Sequence, residues 1–147
     1  GWDKFIKKLS TLPPEIEVIA INDYLFLEGY KKVTARKSEI PNIKLIIPAI
    51  EFRLDTFSGT ADNKKRHNFH VFFDPEIPTE KIEEQFLRCI SKGYKLSDKS
   101  EWQENPTKTS LETLGKKIKA EAPTTDSIQS RSDLEVGFEN ITYNRKE

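Results

Sequence analysis

Methionine is missing from the 147 residues, cysteine occurs once and histidine only twice. A single cysteine, Cys89, excludes an internal disulfide framework and fits a reducing, cytoplasmic compartment. It falls within the apolar pattern of an expected helix, which reads as a small buried hydrophobe rather than a nucleophile. No apolar run approaches the roughly 20 residues that span a bilayer, so a soluble chain with no membrane partner is expected. Lys and Arg number 24, as do Asp and Glu, so no global basic field draws nucleic acid, although a local patch stays open. A Gly-rich phosphate loop, a cysteine pair for zinc and a nucleophile elbow are all absent. So is a secretory signal, because Trp2, Phe5, Ile6 and Leu9 alternate with charges at helical spacing. The missing methionine and a start inside a helical pattern read as a segment of a longer protein.

The patterned elements begin with that helix, which Leu12-Pro13-Pro14 must end. Residues 16–21 (IEVIAI) read as a buried strand that Asn22-Asp23 closes in a turn. A helix over residues 26–37 follows, weakened by Gly29, and residues 43–47 (IKLII) resume an apolar strand. Pro48 then implies either two short strands or one irregular strand through PAIEFRL. Residues 57–67 read as a polar loop carrying the basic cluster Lys64-Lys65-Arg66-His67, and residues 68–73 (NFHVFF) as the next strand. A helix over residues 79–91 places Ile82, Phe86, Leu87 and Ile90 on one face. This order implies parallel βα units, hence an α/β layered or barrel fold. Residues 1–94 form the βα core, and residues 95–147 a mostly helical and irregular extension of the same domain. In the extension, Thr109 with Glu112 reads as a capping box before the stripe Leu111, Leu114 and Ile118, and Leu134 to Ile141 as a last short element.

Three polar groups stand out in these strands. Asp23 sits at a strand end, where βα proteins place their sites. Strand alternation puts Glu51 on one face with Ala49 and Arg53, and His70 on one face with Asn68 and Phe72. Burying a carboxylate or an imidazole is costly unless something pairs with it. A barrel interior in which Glu51 meets His70 would combine carboxylate and imidazole, the ligand mix of zinc, manganese or iron. Other readings remain open at this point. Asp23 would equally cap the next helix, Glu51 would pair with Arg53, and His70 would be a hydrogen-bonded core histidine. The run from Lys64 to His67 reads as a solvated loop or as a phosphate contact.

INDYLFLEGYKKV, IKLIIPAIEFRLDTF and NFHVFFDPEI with IEEQFL, in this order, resemble the N-terminal region of TrlF-type AAA-like ATPases. That region is similar to the PHP (polymerase and histidinol phosphatase) domain, a distorted β/α barrel that binds a cluster of metal ions. The resemblance runs from Trp2 to Leu87 and more loosely through SLETLGKKI and GFENI. It implies a partial barrel of PHP type and metal-dependent phosphoester hydrolysis, with Asp23, Glu51 and His70 as ligands to divalent zinc, manganese or iron. Tyr24, Arg53 and Asn68 would support those ligands or face the substrate. Tyr24 stands where a ligand histidine is expected, and the opening His-x-His motif is absent. Those two departures imply an alternative, a degenerate non-catalytic module that regulates or positions its ATPase. The implied partners are the ATPase domain of the parent protein, which alone would bind ATP, and nucleic acid as a candidate substrate.

Overall fold

The strand expected over residues 16–21 begins only at Val18 and runs past the apolar stretch through Asn22, Asp23 and Tyr24. Ile21 is buried but Val18 is 52% exposed, which corrects its reading as a buried strand. In this computed structural model, which describes residues 1–60, 63–90, 94–95, 101–102 and 105–141, β1 spans Val18–Tyr24. A short turn leads to α2 (Glu28–Ala35), and the chain returns to β2 (Leu45–Thr60), which lies parallel to β1. This is the βαβ unit that the alternation of elements implied. The register sets Ile21 opposite Pro48 and Tyr24 opposite Glu51. Ahead of β1, α1 (Trp2–Ser10) ends before the proline pair, as expected, and buries Ile6.

Two expectations about the next segment are corrected. Pro48 does not break the run: Leu45–Thr60 is one strand of 16 residues. The polar stretch is not a loop, because β3 already begins at Asn63 and runs to Phe72. Only two residues separate β2 from β3 in sequence, a span that joins neighbouring strands only in antiparallel fashion. The strand order is β1-β2-β3. The α/β assignment therefore holds, whereas the expectation of parallel units throughout gives way to a mixed sheet. Lys65, Arg66 and Asn68 are polar but extended, since a strand exposed to water needs no apolar face.

Pro48 is tolerated for a local reason. Its carbonyl accepts the N–H of Phe73, one residue past the end of β3. A strand residue projects its N–H and C=O to the same side. Pro48 thus keeps the acceptor half of this pair, and only the return bond, from an N–H that proline lacks to the Phe73 carbonyl, is missing.

The chain forms two compact units that interleave in sequence. The first comprises Gly1–Glu51 and His70–Glu83, and its buried apolar set includes Ile6, Ile21, Leu27, Val33, Ile46 and Ile50. The second comprises Phe52–Phe69 and the described residues from Glu84 onward. Within it Phe52, 1% exposed, stacks on Phe69 at 5.2 Å and meets the edge of Phe86 at 6.0 Å. The helix expected over 79–91 is broken into α3 (Thr79–Lys81), a π turn (Ile82–Phe86) and a 3₁₀ turn (Leu87–Cys89). Its expected end at Ser91 lies outside the described residues. Cys89 is exposed rather than buried, which corrects its reading as a core residue. Part of the stretch read as irregular pairs as β4 (Tyr94–Lys95) with β5 (Glu101–Trp102).

α4 (Lys108–Glu121) is capped two residues earlier than expected. Thr107 is the N-cap and exchanges hydrogen bonds with Ser110, so the capping box is Thr107/Ser110 rather than Thr109/Glu112. Leu111, Leu114 and Ile118 are buried, as their spacing implied. α4 packs on α5 (Asp133–Asn140) through two glycines. A Cβ on Gly115 would lie 1.8 Å from the Asp133 carbonyl oxygen, and one on Gly137 would lie 2.0 Å from that of Leu111. Only hydrogen side chains let the two backbones come this close.

Phe52 anchors the second unit's aromatic cluster. Phe52→Ala should cost about 3–5 kcal/mol in chemical denaturation. Phe72→Ala, at a residue 60% exposed, should stay within about 0.5 kcal/mol of wild type. Equal losses in the two variants would contradict this assignment of burial.

Candidate functional site

The carboxyl end of β1 and the middle of β2 bring four polar side chains together in the first unit. Glu51 Oε2 lies 3.2 Å from His70 Nε2 and accepts the Asn22 amide N–H at 3.0 Å. The Tyr24 hydroxyl also donates to this carboxylate. Alternation explains the set. Asn22 and Tyr24 are two residues apart on β1 and so share a face, and Tyr24 stands directly opposite Glu51. From Pro48 to Glu51 the chain advances three residues along β2. From Phe73 to His70 it retreats three along β3, as an antiparallel ladder requires. The sequence reading took Asn22 only as a turn former. Its signal was the i, i+2 spacing to Tyr24, which becomes legible once the strand is known to continue that far.

The meeting of Glu51 and His70 agrees with the expectation, but its setting differs. The Glu51 side chain is 12% exposed and that of His70 is 47% exposed, so the imidazole side of the pair is open to solvent rather than enclosed. Burial pushes the Glu51 carboxyl up. The hydrogen bonds from Asn22, Tyr24 and His70, with the His70 charge, more than offset that and hold it below its ordinary value.

Asp23 points elsewhere. Its Oδ2 accepts the N–H of Gly29 at 2.7 Å and of Tyr30 at 3.1 Å. These are the second and third residues of α2, so the aspartate does the work of a helix cap from five residues before the helix starts. Burial pushes its carboxyl above the ordinary value despite the two N–H donors and nearby Lys32, with Glu28 adding to the rise. The sharp exit from β1 turns on Leu25, buried and at φ 63°, where the Phe26 N–H returns to the Tyr24 carbonyl at 2.8 Å. A left-handed leucine is strained by roughly 1–2 kcal/mol. That strain is the cost of reversing the chain immediately after the polar residues.

Of the remaining candidates, Arg53 donates to the Glu139 carbonyl at 2.8 Å within the second unit. Asn68 is exposed on β3. Among the described residues no three His, Cys, Asp or Glu side chains form a group that would hold a metal ion. Glu51 and His70 supply one carboxylate and one imidazole, whereas zinc sites take three or four protein ligands. The described residues therefore do not by themselves fit a resident metal cluster. No helix among them is long and apolar enough to cross a membrane. No protein-family model, curated protein or solved structure matches the chain.

Two tests follow from this geometry. An ideal Cβ on Gly29 would sit 2.5 Å from Asp23 Oδ1, so Gly29→Ala must displace the capping carboxylate and should cost about 1–3 kcal/mol. In an Asp23→Ala background the same change should cost clearly less, and additive losses would contradict the contact. The second test concerns pH. Glu51 titrates lower folded than unfolded, so its stabilisation is complete above its ordinary value of 4.5 and is lost as pH falls through the folded value. Asp23, raised from 3.8, acts with the opposite sign, so the comparison must be between variants. Wild type should lose stability more steeply below pH 4.5 than Glu51→Gln, and parallel profiles would refute the role of Glu51.

Proposed function

We propose that this chain is a PHP-like α/β module that does not hydrolyse phosphoesters and instead positions or regulates an AAA-like ATPase partner in a longer protein. In this reading the β1–α2–β2 crossover is the opening part of a distorted β/α barrel, and ATP belongs to the ATPase domain alone. The observation that supports it is the closure of the polar cluster on itself. Tyr24, at the position where the resemblance implies a ligand histidine, donates to Glu51 instead. Asn22 and His70 engage the same carboxylate, and Asp23 is committed to the start of α2. Groups that would otherwise be metal ligands have become hydrogen-bond partners of one another, which is what a buried carboxylate needs when no cation serves it.

A second reading, the metal-dependent phosphoesterase with nucleic acid as a candidate substrate, draws on the 3.2 Å Glu51–His70 approach at the carboxyl end of β1. It needs further ligands to zinc, manganese or iron from elsewhere in the parent protein.

Metal loading separates the two readings. After incubation with zinc or manganese and desalting, wild type should retain clearly less than one equivalent by elemental analysis. Tyr24→His, which adds a third donor beside Glu51 and His70, should retain more. One full equivalent in wild type that disappears in Glu51→Ala would overturn the non-catalytic reading in favour of the second.

A further inference from the structure

We infer that the β2–β3 hairpin binds single-stranded nucleic acid, with Lys65 and Arg66 taking phosphates and the Phe57 and Phe69 rings stacking bases. The inference uses residues of the second unit alone and rests on neither reading of the Glu51 cluster. The stretch Phe52–Phe69 holds four Lys and Arg against two Asp, in a chain with no net charge. Among those charges stand Phe57 and Phe69, which are 52% and 41% exposed. A local excess of cations interleaved with exposed rings is the composition of a surface that binds single strands.

Geometry sets a cation near each ring. Along β3, Lys65, His67 and Phe69 alternate onto one face, each about 7 Å from the next, and all three are exposed. The Phe69 ring is seated: the buried Phe52 stacks on it at 5.2 Å with 27° between the planes, while 41% of Phe69 stays open to water. A ring held in this way loses little side-chain freedom when a base covers it. Arg66 takes the opposite face, where its guanidinium lies 5.0 Å from the centre of the Phe57 ring. Guanidinium and phenyl planes are both surfaces on which an unpaired base stacks.

The occupant must answer the charge and the rings together. A duplex would meet the charge, but its bases stack on one another and do not reach the rings. It is also stiff, whereas the two rings lie on opposite faces and call for a chain that bends. An acidic peptide would answer the cations and leave the rings without a stacking partner. A single strand supplies both, phosphates for Lys65 and Arg66 and bases for Phe69 and Phe57.

Fluorescence anisotropy with labelled thymidine and uridine strands of about 12 nucleotides tests the inference and separates deoxyribose from ribose chains. At least one should bind, more weakly as salt rises. Lys65→Gln/Arg66→Gln should lower the steepness of log affinity against log salt by about 1.4, because each lost phosphate contact removes about 0.7. Phe69→Leu keeps an apolar side chain against Phe52 and should weaken binding at least about fivefold with the salt dependence unchanged. If that variant fails to fold by circular dichroism, an abasic strand of the same length reads the stacking on wild type, with the same loss expected. The inference is overturned if neither strand binds, or if Lys65→Gln/Arg66→Gln keeps the wild-type salt dependence. It is also overturned if folded Phe69→Leu binds as tightly as wild type, or if the abasic strand binds as tightly as the complete one. Equal or tighter binding of a blunt duplex, or of a glutamate-rich peptide, overturns it too.

Discussion

Asp23 accepts the N–H groups of Gly29 and Tyr30 through one oxygen, and that contact decides where the crossover helix begins. The strand can run on through Asn22 and Tyr24 because the chain reverses only afterwards, at the strained Leu25. The parallel return of β2 sets Tyr24 against Glu51 only if α2 starts at this height. Gly29, which looks like a weak point when helix propensity alone is considered, is the one residue that leaves room for the carboxylate. Local propensity is sacrificed here to a tertiary contact that fixes the crossover.

The polar cluster beyond it is an economy of donors. A half-buried carboxylate needs partners, and Glu51 finds three in an amide, a phenol and an imidazole. The carboxylate is thereby held by hydrogen bonds from three side chains of its own unit. Such an arrangement keeps its negative charge with a lowered affinity for protons.

Much of this was legible in the sequence, and what was not has physical causes. The first helix, the βαβ crossover, the burial of Leu111, Leu114 and Ile118, and the approach of Glu51 to His70 all follow from periodicity. The strand limits do not. Asn22-Asp23 carries turn chemistry yet stays extended, because both residues have partners that only the sheet supplies. Lys65 to Asn68 lack the apolar alternation of a half-buried strand because their strand faces water on both sides. The position of the cap on α4 shifted because Thr107 and Ser110 make the same reciprocal bonds as a Thr/Glu pair, a shorter version of the same pattern. Cys89 reads as buried only if its helix is regular, and the chain there passes through π and 3₁₀ turns that rotate it outward.

Pro48 has a bearing on register as well as on folding. A residue without an N–H costs least at the end of the ladder with β3, where a single return bond is missing. Slippage of the hairpin that carried β3 past it would move the missing donor into the middle of the ladder. The alignment that puts His70 beside Glu51 is thus written three residues away, in a position that takes no part in the cluster.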